Sequence, residues 1–150
     1  MKVVLQRVKR ASVKSADIYN EIGNGLLLLV GIGENTVEAD LAVMAKKIVH
    51  ARLFEDADEK MNLSIKEAAG EILSISQFTL YADVKKGNRP SFTRAMKPDM
   101  ARTYYETFNR LLESEGIAVK AGDFGAMMAI ELINDGPVTV IYEAAEGKIQ

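Results

Sequence analysis

Ser76, Gln77 and Thr79 sit on one short stretch, Glu71-Ile72-Leu73-Ser74-Ile75-Ser76-Gln77-Phe78-Thr79-Leu80-Tyr81. Its first half reads as a strand apolar on both faces, which suits a buried place in a sheet. Polar groups that deep need partners or a task, because burying a hydroxyl or amide unpaired costs about 1–3 kcal/mol. Two uses are open: hydrogen bonds to backbone at a strand end, or the wall of a pocket. A hydroxyl nucleophile such as Thr79 would need a neighbouring base. No His, Lys or carboxylate is close to it in this stretch.

The inventory excludes several chemistries. There is one histidine, His50, and no cysteine or tryptophan. Disulfides, thiolate catalysis and a zinc site of His and Cys are out. A Ser-His-Asp triad would have to use His50. On the helix expected around it, His50 lies opposite Leu41 and off the apolar stripe, so it is expected in solvent. The acidic run Glu55-Asp56-Ala57-Asp58-Glu59-Lys60 lacks the glycine and spaced oxygens of a calcium loop and reads as a solvated turn. No metal and no cofactor are expected.

A second group with chemical potential lies in the loop Asp83 to Lys97. Lys85, Lys86, Arg89, Arg94 and Lys97 fall there with no acid before Asp99. Beside Phe92 such a loop could hold a phosphate backbone and stack a base, or it could be a merely solvated basic loop. The net charge of −2 and pI of about 5.5 give no support to general nucleic-acid binding, so any phosphate contact must be local.

The elements that must position these residues can be read in outline. At 150 residues the chain fits one domain, 1–150, with a real core. Met1 to Val13 alternates as a strand, Asp17 to Gly25 is a short strand and turn, and Gly25 to Gly33 is a nearly all-apolar central strand. Asn35-Thr36 is placed to cap a helix in which Val37, Leu41, Met44, Ala45 and Ile48 form one stripe. Pro98 opens a second helix with Ala101, Tyr104, Tyr105, Phe108, Leu111 and Leu112 on one face, stopped by Gly116. Met127 to Ile133 and Val138 to Tyr142 read as two strands around Asn134-Asp135-Gly136-Pro137. The Gly136-Pro137 bond is trans by default. The tail 144–150 is expected to fray. No apolar run reaches the roughly 18 residues of a membrane span, and no signal peptide is visible. The natural reading is a cytoplasmic protein.

Three blocks then stand together: Ser76-Gln77-Phe78-Thr79-Leu80-Tyr81-Ala82, Arg89-Pro90-Ser91-Phe92 and Asn134-Asp135-Gly136-Pro137-Val138-Thr139. With Gln6-Arg7-Val8, Ala11-Ser12-Val13 and Lys60-Met61-Asn62, the chain resembles the D-aminoacyl-tRNA deacylases from Met1 to about Glu143. Any single block would be weak, but the ordered set is specific. The chain departs from the pattern at Glu59, where glycine is expected, and at Asn88, where a second basic residue is frequent beside Arg89.

The resemblance implies an α/β fold. It would be a single compact domain of mixed, barrel-like β-layers packed with two main helices, and a homodimer. It implies hydrolysis of the ester between a D-amino acid and the 3′-terminal adenosine of tRNA, and of glycyl-tRNA. Ser76, Gln77, Phe78 and Thr79 would line the catalytic pocket. Gly136-Pro137 would come from the partner subunit with a cis bond, its carbonyls rejecting L-substrates by collision, and Arg7 would brace that turn. Ser91, Phe92 and Thr93 would border the site. Phe124 and Met127 would meet the terminal adenine, and Lys85, Lys86 and Arg89 the tRNA phosphates. Two mechanisms fit: a Thr79 nucleophile, or backbone N–H groups holding the oxyanion with help from the ribose 2′-OH. The second is preferred because no base is in sight. The competing functions are a non-catalytic RNA-binding dimer and a small-molecule hydrolase on the same scaffold.

Overall fold

A computed structural model describes residues Met1–Gln150. The strands are β1 (Lys2–Lys14), β2 (Tyr19–Ile22), β3 (Gly25–Gly31), β4 (Phe54–Glu55), β5 (Met61–Leu63), β6 (Glu71–Ser76), β7 (Val119–Ala121), β8 (Ala129–Ala145) and β9 (Lys148–Ile149). The helices are α1 (Glu38–Val49) and α2 (Pro98–Ser114), with one 3-10 turn at Phe78–Tyr81.

The main sheet is mixed, in the order β7-β6-β3-β1-β8-β9 with β2 paired to β1. β3, β6 and β7 run parallel, whereas β1 is antiparallel to β3, β2 and β8. β1 pairs β3 through Lys2–Val8 and β2 through Ala11–Lys14, so it changes neighbours midway. Register shifts between Gln6, Val8 and Arg10 mark that place on its β8 side. Such irregularities bend a strand. The second half of β1 thereby curls over the sheet face that β3 and β6 present.

Alternation along β3 explains the two cores. Leu26, Leu28 and Val30 point toward α1 and α2 and join Val3, Leu5, Leu41, Met44, Ile48 and Phe108. Leu27 points the other way, with Leu73 and Ile75 of β6, into a smaller core closed by Val8, Ala11, Val13 and Ile22. A strand buried on both faces has no room for polar side chains, hence the apolar run.

Several expectations need correction. The cap of α1 is made at Val37, whose N–H donates to Asp40 Oδ2 at 3.0 Å, and not by Asn35 or Thr36. Thr36 Oγ1 instead accepts the Gly33 N–H at 3.0 Å. Val37 itself is exposed while the rest of its stripe is buried. The two strands expected at the C-terminal end are one continuous β8, because the Asn134–Pro137 excursion leaves the ladder with β1 only locally. Residues 144–150 do not fray: β9 pairs with β8, and the Gly147 N–H donates to Asp40 Oδ1 at 2.7 Å. The polar stretch after Phe54 is a β4–β5 hairpin. In it Glu59 has φ of 60°, the left-handed region that favours glycine.

Candidate functional site

Parallel strands end together, and ligands gather beyond such ends. Here the pairing of β3 with β6 finishes at the register partners Val30 and Ser76. Past Ser76 the Gln77 N–H donates to the Val30 carbonyl at 2.8 Å, and the chain turns into the Phe78–Tyr81 3-10 turn. That turn is seated on glycines. A Cβ on Gly33 would stand 2.5 Å from the Tyr81 ring, and one on Gly31 would stand 3.1 Å from Leu80 Cβ. Burial pushes the Tyr81 phenol above its ordinary value, so it is neutral near pH 7 and offers no base.

The cleft beside this turn has a volume of about 800 Å³. One wall is Ile75, Ser76, Gln77 and Phe78; a second is Phe92, Thr93, Met96, Lys97, Pro98 and Ala101; a third is the segment Phe124–Met128 with Ile130. Phe78 and Phe92 meet edge to face with centroids 5.1 Å apart. The third wall is tied to the others at one atom. The Ser74 carbonyl accepts both the Gly122 N–H at 2.8 Å and the Tyr105 hydroxyl of α2 at 2.7 Å. Arg102, one turn earlier, lies 4.7 Å over the Phe124 ring.

Ser76, Gln77, Phe78, Phe92, Thr93, Phe124 and Met127 therefore come together around one cavity. Thr79 does not line it; its Oγ1 accepts a hydrogen bond from Gln77 Nε2. Ser91 is one residue outside, its Oγ 3.5 Å from Thr93 Oγ1. Lys85, Lys86 and Arg89 are exposed on a small loop closed by the Asp83–Ser91 bridge, and they do not reach the cavity. His50 caps α1 in solvent, its Nδ1 2.8 Å from the Lys46 carbonyl, as its helical position implied.

Arg7, Gly136 and Pro137 are also outside the cleft of their own chain. The Gly136–Pro137 peptide is cis. The turn is held from both sides. Asn134 Oδ1 accepts the Val138 N–H at 2.7 Å, and its Nδ2 donates to the Val138 carbonyl at 3.1 Å. Arg7, only 5% exposed, donates from Nε to the Asp135 carbonyl at 2.9 Å and from Nη1 to the Leu53 carbonyl at 2.8 Å. The Glu55 and Asp135 carboxylates each approach its guanidinium to 3.5 Å.

The only ionisable side chain lining the cleft is Lys97. No His or carboxylate is there to take a proton from a hydroxyl, so the cavity is poorly built for side-chain nucleophilic catalysis. It is better supplied with backbone donors. The Phe78 N–H opens the 3-10 turn, where its geometry gives it no intrahelical partner. The Phe92 and Thr93 N–H groups have no partner within the chain. Such amides can hold an oxyanion. No cluster of ligating side chains that could hold a metal is present, and no helix is long and apolar enough to cross a membrane.

Sequence reasoning missed Met96, Lys97, Ala126 and Met128 as lining groups. Lys97 carried a signal, as part of the basic run. The methionines carried none, since a thioether has no distinctive spacing. Arg102 and the Ser74 carbonyl also had no sequence signature, because their roles arise from tertiary contact.

The family model described as D-Tyr-tRNA(Tyr) deacylase matches residues 4–143. The chain belongs to this family. It is an enzyme, a hydrolase of the D-aminoacyl-tRNA deacylase type. A D-aminoacyl-tRNA deacylase of Staphylococcus saprophyticus is 59% identical over 149 residues, covering 99% of each chain. That of Macrococcus caseolyticus is likewise 59% identical with the same coverage. Among solved structures, one described as the c-Myc DNA Unwinding Element Binding Protein aligns with TM-score 0.89 and 40% identity, over 96% of this chain and 99% of its own. A probable eukaryotic D-amino acid tRNA deacylase aligns with TM-score 0.79 at 20% identity, over 93% and 97%; that likeness concerns the fold alone.

Proposed function

We propose that the chain, as one domain spanning 1–150, removes D-amino acids from tRNA in the cytoplasm and works as a homodimer. Water adds to the ester carbonyl, the bond to the 3′ oxygen of the terminal adenosine breaks, and that oxygen takes a proton. The free D-amino acid and the tRNA leave. The observation that carries this reading is a cleft with unpaired backbone N–H groups at Phe92 and Thr93 and no His or carboxylate among its lining side chains. The developing oxyanion is held by those amides, and the substrate's ribose 2′-OH helps to activate water.

In this reading the partner's Gly136-Pro137 turn reaches over the Ser76–Thr79 end of the cleft. That fits the position of the turn, which lies outside the cleft of its own chain. A backbone wall at the α-carbon leaves room for hydrogen on one side only. An L-side chain collides, a D-side chain points outward, and glycine passes. Rejection by collision tolerates many D-side chains, so the substrate range is broad. Phe124 and Met127 face the terminal adenine, Ser91 and Thr93 border the ester, and Lys85, Lys86 and Arg89 meet tRNA phosphates.

Matched D-Tyr-, L-Tyr- and Gly-tRNA substrates test the proposal. Hydrolysis of the D and glycyl esters with the L ester spared is the expected result. Binding without turnover of any of them would instead identify a non-catalytic RNA-binding dimer. Thr79→Ala should keep activity within about tenfold, whereas a loss of about a thousandfold in a folded variant would restore the hydroxyl mechanism.

A further inference from the structure

Three of the seven methionines line the cleft: Met96, Met127 and Met128. The chain has no cysteine, so thioethers are its only sulfur. Their environments differ sharply. Met96 and Met128 are half-buried, and the Met128 sulfur already accepts the Asp123 N–H at 3.3 Å. Met1 and Met44 are buried in the main core. Met127 is 92% exposed, the most exposed large apolar side chain of the chain, and it stands on the rim beside Phe124. Met61 and Met100 are 55% and 57% exposed. Neither lines the cavity.

An unbranched thioether on a cleft rim is useful because it moulds to an apolar or aromatic occupant. The same sulfur is open to two-electron oxidants. We infer that Met127 is an oxidation site through which peroxide weakens substrate binding in the cleft. Its sulfur attacks one peroxide oxygen, an S–O bond forms, the O–O bond breaks, and the transferred oxygen gives up its proton to the departing hydroxide, which leaves as water. Sulfur is oxidised by two electrons and the peroxide is reduced. The product, a sulfoxide, is polar and stiffer, and it must lose water to pack against the occupant. Burying part of that dipole without a partner raises KM by about five- to tenfold. Sulfoxide formation is reversible by methionine sulfoxide reductases, so the change can be undone.

The inference rests on the deacylase reading for its kinetic readout, but not for its chemistry. Hydrogen peroxide is titrated until about one oxygen is incorporated per chain, and the sites are mapped by peptide mass spectrometry. KM for D-Tyr-tRNA and the affinity for a non-hydrolysable 3′-amide of D-tyrosine and adenosine are then measured. Met127 is expected to be oxidised ahead of Met61 and Met100, with both constants weakened and restored by reductase treatment. Met127→Leu should show no response to peroxide, Met61→Leu should respond as the parent does, and Met127→Gln should imitate the oxidised state without peroxide. Oxidation of Met61 or Met100 first overturns the inference. So does Met127 sulfoxide with unchanged binding, or a peroxide effect that survives in Met127→Leu. If D-Tyr-tRNA is not hydrolysed even before oxidation, the deacylase reading fails by itself, and amide binding with the oxidation map still decides the fate of Met127.

Discussion

Around the Gly136-Pro137 turn almost every polar group has a partner: Arg7 engages two carbonyls and two carboxylates, and Asn134 engages Val138 through both ends of its amide. The cleft walls are built differently. They are largely apolar, edged by exposed Phe78 and Met127, and joined to one another chiefly at the Ser74 carbonyl. A braced turn keeps its shape whatever approaches it, while a wall of aromatic and thioether groups moulds to its occupant. In the proposed reading, selectivity by collision draws on the first property and tolerance of many side chains on the second, and the two lie in different regions.

Removing the brace is the strongest way to break the contrast. Arg7→Ala strands the Leu53 and Asp135 carbonyls and empties a buried site. It should cost about 3 kcal/mol in denaturant unfolding and raise L-Tyr-tRNA hydrolysis relative to D. Gly136→Ala tests the turn directly. A Cβ there would stand 2.7 Å from Val138 Cγ2 with φ at 145°, and about 2 kcal/mol of stability should be lost with selectivity degraded.

On the cleft side, Tyr105→Phe removes the tie between α2 and β6 and should cost about 1 kcal/mol, raising KM more than it lowers kcat. Burial raises the Tyr105 phenol above its ordinary 10.0. The folded state therefore favours the neutral form. Its contribution is full below pH 10 and is lost as pH rises through the raised value. The Phe variant should flatten the alkaline fall in stability. The smallest effect belongs to the hairpin whose Glu55 meets Arg7. Glu59→Gly relieves the left-handed φ of 60° and should stabilise by about 0.5–1 kcal/mol, seen as a higher midpoint with unchanged selectivity.

Much of this was legible before any coordinates. The apolar run Leu26–Val30 read as a central strand, and the stripe from Ala101 to Leu112 read as a core face; both hold in the fold. The polar groups at the end of the Glu71–Ser76 strand left two uses open, backbone bonding or a pocket wall; the family pattern pointed to the wall, and Ser76, Gln77 and Phe78 do line the cleft. What escaped was long-range. Asp40 closes α1 from within and also holds Gly147, so the tail was misread as frayed. Lys97, Met96 and Met128 reach the cleft only because α2 and the 122–128 segment are folded against β6. The isomer of Gly136-Pro137 could not be read from the two letters, and local statistics pointed to trans; the family pattern pointed to cis, which is the isomer found.

Gly31 and Gly33 bear on how this enzyme could be reshaped. Neither lines the cavity, yet a Cβ at Gly31 would stand 3.3 Å from the Gln77 carbonyl oxygen, and one at Gly33 would run into the Tyr81 ring that ends the same turn. A methyl group at Gly31 would press that backbone by a few tenths of an ångström, and one at Gly33 would displace the Tyr81 ring. Laboratory evolution toward bulkier acyl groups thus has a lever behind the pocket, at positions that a library aimed only at cavity-facing residues would never sample.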